Sequence, residues 1–316
     1  MKYVVLGIGV QGSVYAAKLA AVGCDVSLVA RGRRAAELRA NGIVVEHAFS
    51  KQRNVVRLPV IDRLDARVAA DVCLVTVRRE QLDAVLPDLR RAVSIGQAVV
   101  LVNHANGSHD LLAAVGSERL VLGFPGYAGG LADGIVRYVD IPQQPTALQR
   151  SGAGVAQSFR RAGIRTELVR DMDGYLRRHA VFVTAVAGAL YECNCDAGAL
   201  AADATAVRSL VLAVREGWSQ LDRLGIAPAP LALRSIFAWV PLPFATMYWR
   251  RLFASPQGEY YFARHSRRAA PEMHALANDV RALLGTAGMP HLTRLFGGID
   301  RAASLHEHDA RSAASS

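Results

Sequence analysis

Lysine is almost missing from this chain of 316 residues: Lys2, Lys18 and Lys51 are the only ones, and arginine supplies the rest of the positive charge. A guanidinium keeps its proton, with a pKa above about 12, so it is a poor acid near neutrality. Any proton donor beyond Lys51 must therefore be another residue type. Cysteine is scarce too, with Cys24, Cys73, Cys193 and Cys195. Cys193-Asn194-Cys195 lacks the C-x-x-C spacing, so neither a zinc site nor a disulfide framework is expected, and a reduced, cytoplasmic setting is the simplest reading. No apolar run approaches the roughly 18 residues of a spanning helix, and the stretch from Ile236 to Met247 is interrupted by Pro241 and Pro243. A strand is expected directly after Met1, and no signal peptide is expected. The net charge of +10 comes from scattered arginines that do not interleave with aromatics. That distribution speaks against nucleic acid and suits a phosphorylated cofactor with an acidic small molecule. What remains is a globular chain, 52% hydrophobic, long enough for two domains with cores of their own.

The first thirty-four residues organise the rest. Tyr3-Val4-Val5-Leu6 reads as a buried strand, Ser13 to Ala21 as a helix, and Cys24 to Ala30 as a second strand. Between the first two, Gly7, Gly9 and Gly12 fall in the spacing G-x-G-x-x-G. A dinucleotide site needs this strand–turn–helix–strand context. Gly7 permits the tight turn, Gly9 lets the backbone approach a pyrophosphate, and Gly12 lets helix and strand pack closely. The backbone of Val10 and Gln11 opens the helix, where free N–H groups meet negative charge. An acid at the end of the second strand would hold a free ribose 2′-hydroxyl. None is present: the chain reads Arg31-Gly32-Arg33-Arg34, with no acid before Glu37. A guanidinium at Arg31 matches a 2′-phosphate, and NADP(H) is the expected cofactor; the plainer reading is a solvated arginine cluster.

Strands and helices then alternate. Helices are expected at about 34–40, 81–91 and 110–115, and strands at 43–46, 55–59, 72–77, 97–102, 120–124 and 136–141, with a glycine-rich loop at 126–134. This is the pattern of a doubly wound, mostly parallel sheet. Thr146 precedes a helical stretch to about Arg161, and Thr166 to Val169 reads as an edge strand. From Met172 onward nearly everything reads as helix: 176–191, 202–224, 271–285 and 291–305, with a proline-broken stretch at 228–243. The fold class is α/β, a Rossmann-type doubly wound sheet followed by an all-helical C-terminal domain. The expected divisions are 1–147 for the dinucleotide-binding domain, 148–170 for a linking region with the edge strand, 171–308 for the helical domain, and 309–316 for a disordered tail.

The glycine triplet, Arg31, the strand ending Val75-Thr76-Val77 and the pair Asn106-Gly107 give the chain, over nearly its whole length, a layout that resembles the ketopantoate reductases, NADPH-dependent 2-dehydropantoate 2-reductases. The resemblance implies a Rossmann domain joined to a helical domain, with the active site in the cleft between. It implies that Arg31 takes the 2′-phosphate, that Val77 and Arg78 lie beside the cofactor, and that Asn106 contacts cofactor and substrate. It also implies a general-acid lysine on the first long helix of the helical domain and an asparagine four residues later. Here that helix reads Tyr175-Leu176-Arg177-Arg178-His179-Ala180-Val181-Phe182-Val183-Thr184. Arg178 or His179 stands in the lysine's place, and Phe182 or Val183 in the asparagine's. Arg178 suits a substrate carboxylate, and Glu272 corresponds to the family's late substrate-binding acid.

A reductase still has to protonate an alkoxide as hydride arrives. His179 is the leading candidate, since imidazolium, with an unperturbed pKa near 6.5, gives up a proton near neutrality. Two Arg neighbours would draw in a carboxylate whose charge favours imidazolium. His265 and Asn106 are the further catalytic candidates, and His104 a third donor. The plainer readings are a capping or interdomain histidine at 179, a helix-start surface histidine at 265, a helix N-terminal carboxylate at Glu272 and a solvated strand-end residue at His104. Two functions follow: an NADPH-dependent oxidoreductase that reduces a 2-oxo acid or related carbonyl, with ketopantoate itself disfavoured by the missing lysine, or a non-catalytic NADP(H)-binding sensor. A small carboxylate is the expected partner, without nucleic acid, metal or membrane, and a homodimer is compatible with the reading.

Overall fold

The structure, a computed structural model, describes residues 1–226 and 235–314. The chain divides into two compact units, Met1–Val102 with Ser108–Met172, and Asn103–Gly107 with Asp173–Ser316.

The first unit is built on β1 (Lys2–Leu6), α1 (Val10–Ala21), β2 (Asp25–Val29), α2 (Gly32–Asn41), β3 (Ile43–His47), β4 (Arg53–Val56), β5 (Val60–Ile61), β6 (Ala70–Val75), α3 (Leu82–Arg91), β7 (Ile95–Leu101), α4 (His109–Val115), β8 (Leu120–Phe124), β9 (Tyr127–Ala132), β10 (Ile135–Asp140), β11 (Thr146–Gln149), α5 (Ala153–Arg161) and β12 (Thr166–Val169). Eight strands form one sheet in the order β12-β11-β8-β7-β6-β1-β2-β5. Its pairs are parallel apart from β11 against β8. The central strands are apolar on both faces, as burial between helices requires, and Tyr3, Val5, Val72, Leu74 and Val99 are fully buried. The order reverses beside β1, so the carboxyl ends of β1 and β6 mark the switch point where such sheets bind ligands.

A second, four-stranded sheet in the order β4-β3-β10-β9 uses the chain between β2 and β11. Here the structure corrects the loop expected at 126–134: Tyr127–Ala132 pairs antiparallel with β10 over six residues. Its glycines hide the strand signal, yet the sheet needs one of them, since a Cβ on Gly129 would lie 2.2 Å from the carbonyl oxygen of Arg137. The helix expected directly after Thr146 is corrected as well. Thr146–Gln149 is a strand and α5 begins only at Ala153. Ala147 and Leu148 are wholly buried in the sheet, and such packing overrides local propensity.

The second unit is helical: α6 (Met172–Glu192), α7 (Ala197–Ala202), α8 (Ala204–Arg223) and the helices Leu242–Phe253, Ala270–Leu284 and Pro290–Ala314. Asp196 and Asp203 cap α7 and α8, each carboxylate accepting two backbone N–H bonds of 2.8–3.0 Å. α6 carries Ala180, Val181, Ala185, Val186 and Leu190 into the core. Part of the proline-broken stretch expected at 228–243 lies outside the described residues. In the rest, Pro241 and Pro243 open the helix Leu242–Phe253 rather than breaking one, the first-turn use of proline. The last helix runs on to Ala314, through residues whose small, polar composition predicts a disordered tail from Asp309. No helix among the described residues is long and apolar enough to cross a membrane.

Candidate active site

The glycine loop has the geometry its sequence calls for. Gly7 stands at φ +100, and a Cβ there would meet the Val77 backbone nitrogen at 2.7 Å and its Cγ1 at 2.9 Å. A Cβ on Gly12 would lie 2.2 Å from the Gly7 carbonyl oxygen and 2.7 Å from Thr76 Oγ1. Thr76 ties these pieces together: its N–H donates to the Leu6 carbonyl at 2.8 Å and its hydroxyl to the Gly7 carbonyl at 2.7 Å. Gly9 differs from both. A Cβ on it would meet nothing within 4 Å, which leaves open the space where a pyrophosphate approaches the backbone. Gly9 caps α1 without a side-chain hydrogen bond, and no acid stands in the first turn, so the positive end of the helix dipole is uncompensated there. The residues present fit a dinucleotide.

Val10 and Gln11 open α1. The Gln11 side chain turns away to the second sheet, donating from Nε2 to the Tyr127 carbonyl at 2.6 Å. What Gln11 offers a phosphate is backbone, not amide. Arg31 ends β2 and caps α2, with its side chain 69% exposed and Nη2 3.8 Å from Asp88. An exposed pair of that length is weak and leaves the guanidinium available. Arg34, from the same arginine cluster, braces the glycine loop from outside. Its Nε donates to the Ile8 carbonyl at 3.2 Å and its Nη1 pairs with Glu37 at 3.2 Å. Nothing in the residue pattern separates it from Arg33, which pairs with Glu37 on the open surface. Val77 packs on the Gly7 turn. Arg78 is exposed, its N–H donates to Gln81 Oε1 at 3.2 Å, and its guanidinium lies 3.9 Å from Glu80.

In the helical unit, α6 and the segment Asn103–Gly107 come together. His179 is buried, its ring stacked on Tyr175 at 6.2 Å and edge-on to Phe182 at 5.7 Å. Asn103 Nδ2 donates to His179 Nδ1 at 3.3 Å, which puts the neutral ring's proton on Nε2. Asn103 is a residue that sequence reasoning missed. The signal was an amide directly after a strand end, overshadowed by Asn106 three residues on. Asn106 itself is exposed and His104 buried. Burial pushes the His179 pKa down to about 3. The site removes the water that would solvate the charge, so the ring without a bound carboxylate is neutral near pH 7.

Stability then depends on pH with a definite sign. The unfolded chain takes up this proton near pH 6.5 and the folded chain only near pH 3. His179 therefore costs no stability above pH 6.5, and protein stability falls as pH drops from 6.5 toward 3, by about 1.4 kcal/mol for each pH unit. Urea melts of wild type and His179→Asn at pH 7 and pH 4.5 should show a gap that changes in the mutant's favour at the lower pH. A gap independent of pH would contradict the burial argument.

Arg178 does not carry the role expected for it. It is 2% exposed, and Nη2 bonds Asp222 Oδ1 at 2.5 Å and the Ile226 carbonyl at 2.6 Å, while Nη1 reaches the Trp218 carbonyl at 3.4 Å. Trp218 Nε1 in turn donates to the Arg178 carbonyl at 3.0 Å. The guanidinium is spent on joining α6 to α8, which buries it away from any carboxylate ligand. His265 and Glu272, expected separately, stand together, with Nε2 3.6 Å from Oε2. Among the described residues no cluster of three or more His, Cys, Asp or Glu could hold a metal.

The solved structures that share this fold include D-mandelate dehydrogenase with NADH and anilino(oxo)acetate (16% identity, 96% of this chain and 99% of that one, TM-score 0.76). They also include a 2-dehydropantoate 2-reductase from Geobacter metallireducens GS-15 (16%, 96% and 100%, 0.75) and a PanE/ApbA family ketopantoate reductase from Ralstonia eutropha JMP134 (19%, 98% and 100%, 0.74). At these identities the likeness is one of fold. No curated protein matches the sequence. The family model of ketopantoate reductase PanE/ApbA matches residues 3–170. That span is more than half of the chain and holds every element of the glycine loop, and the protein belongs to the ketopantoate reductase PanE/ApbA family of oxidoreductases.

Proposed function

We propose that the protein reduces a 2-oxo acid, or a closely related carbonyl compound, with NADPH. The observation that carries this is the glycine loop: Gly9 is open while Gly7 and Gly12 are closely packed, and Arg31 stands exposed at the end of β2. Gly9, Val10, Gln11 and Gly12 would hold the pyrophosphate through backbone N–H groups, and Arg31 would hold the 2′-phosphate. D-mandelate dehydrogenase, similar in fold, is described with NADH. The arginine that takes the place of an acid after β2 is what argues for the phosphorylated cofactor here. When bound, a reduced nicotinamide supplies hydride.

The chain's own residues then have to polarise the carbonyl and protonate the alkoxide. His179 is proposed to polarise the carbonyl as the neutral ring, with the proton on Nε2, and to protonate the alkoxide as imidazolium, returning to the neutral ring. A neutral imidazole can donate a hydrogen bond to a carbonyl, and a bound carboxylate draws the ring toward the protonated form. Asn103 fixes the tautomer from behind. Asn106 and the His265–Glu272 pair are the further proposed polar contacts to substrate. The second reading is an NADP(H)-binding protein without turnover. It draws on Arg178, one of the two residues that could stand at the family lysine's place, which is consumed by Asp222 and two carbonyls.

Initial rates over a panel of 2-oxo acids, with NADPH and with NADH, test the proposal. Wild type should prefer NADPH. Arg31→Ala should reduce that preference by about 10–150-fold, the worth of a charge-assisted contact of about 1.5–3 kcal/mol. An equal loss with both cofactors would remove Arg31 from the 2′-phosphate. Absence of turnover with every acid, with NADPH bound, would favour the sensor.

A further inference from the structure

Arg177 precedes the buried Arg178 on α6 and has the opposite surroundings. The side chain is partly buried, its Nε is sealed from solvent, and no hydrogen bond or ion pair reaches it from any described residue. A Cβ on Gly107 would sit 3.2 Å from Arg177 Nη2, so the guanidinium lies against the Asn106–Gly107 turn. On the same segment, Asn103 keeps Oδ1 buried with no hydrogen-bond partner among the described residues, while its Nδ2 holds His179. A guanidinium is charged at every accessible pH, and a partly desolvated charge without a counter-charge is costly. Proteins break that rule where function requires it. The planar fork of donors fits a carboxylate.

We propose that Arg177, rather than Arg178, holds the carboxylate of the substrate, an assignment that rests on the reading of the substrate as a 2-oxo acid. Three features make this the strongest site for an anion among the described residues of the helical unit: a permanent positive charge, a buried donor with no partner, and a neighbouring turn that carries the exposed Asn106.

The test compares full-length wild type, Arg177→Met and Arg177→Lys, all with NADPH present. The probes are oxamate, a non-reacting carboxylate of 2-oxo acid shape, and oxamide, its neutral counterpart. Oxamate should raise the melting temperature of wild type, oxamide should not, and Arg177→Met should lose the response while Arg177→Lys keeps part of it. For a 2-oxo acid that is turned over, KM should rise about 10–100-fold in Arg177→Met, as expected for losing a hydrogen-bonded charge. Without ligand, Arg177→Met should melt no lower than wild type, because it removes a charge that has no partner. An equal response of wild type and Arg177→Met to oxamate, including no response in either, would overturn the assignment. So would a clear fall in the ligand-free melting temperature of Arg177→Met, which would mark a structural role. Failure of every 2-oxo acid to be reduced, with an oxamate response that still depends on Arg177, would overturn the proposed reaction and leave this site standing.

Discussion

Gly9→Val should abolish NADPH binding and leave the fold intact. A Cβ on Gly9 touches nothing within 4 Å. The melting temperature should therefore stay within a few degrees of wild type. A β-branched side chain would instead fill the space through which a pyrophosphate reaches the backbone. Loss of two charge-assisted N–H contacts, at about 1.5–3 kcal/mol each, corresponds to a Kd raised on the order of 10²–10⁴-fold. Gly12→Val supplies the contrast. Its Cβ would lie 2.2 Å from the Gly7 carbonyl oxygen, so that variant should be destabilised outright. Titration of NADPH into Gly9→Val, with a thermal melt alongside, checks both halves. Normal affinity in a folded Gly9→Val protein would place the dinucleotide elsewhere.

His179→Asn should lower kcat on the order of 10²–10⁴-fold, the usual worth of a general acid–base group, with cofactor affinity unchanged. Elimination and geometry both lead to this residue. No lysine follows Lys51, Arg178 is bound on three sides, and a guanidinium is a poor acid. His179 has a ring fixed by Asn103 and two aromatic neighbours, with its pKa held down to about 3 by burial. A bound carboxylate would bring that value up, so the rate should decline with rising pH in the enzyme–substrate complex rather than follow a histidine of ordinary pKa. Asn103→Ala should share part of the loss by releasing the ring. Near-normal turnover and an unaltered pH profile in His179→Asn would pass the role to His265.

The parts of the fold that were legible in the sequence are those that local chemistry specifies. The glycine spacing and the apolar run Tyr3–Leu6 each have a single physical meaning, and the atoms stand accordingly. The second sheet was half hidden, because β9 is rich in Gly and Ala and its strand signal lies in its partner β10 and in the close approach at Gly129. β11 was hidden for a related reason: Thr146–Gln149 is short, and only burial between β8 and β12 makes it a strand. In the site, residue type showed that an acid was missing but not which arginine was occupied. Arg177 and Arg178 are adjacent and identical in sequence terms, and they differ in the acceptors that α8 and the residues after it bring within reach of one of them. The role of Asn103 and the depressed pKa of His179 likewise depend on packing that no local pattern encodes.

Transfer of hydride from NADPH to a 2-oxo acid is measured most directly by product stoichiometry. Full-length protein is incubated with NADPH and each member of a 2-oxo acid panel, and the NADPH consumed and the 2-hydroxy acid formed are both quantified. At least one acid should be converted one-for-one with NADPH, and Gly9→Val should lose that conversion. NADPH bound and retained in the presence of every acid, with no 2-hydroxy acid formed, would contradict the proposed reaction.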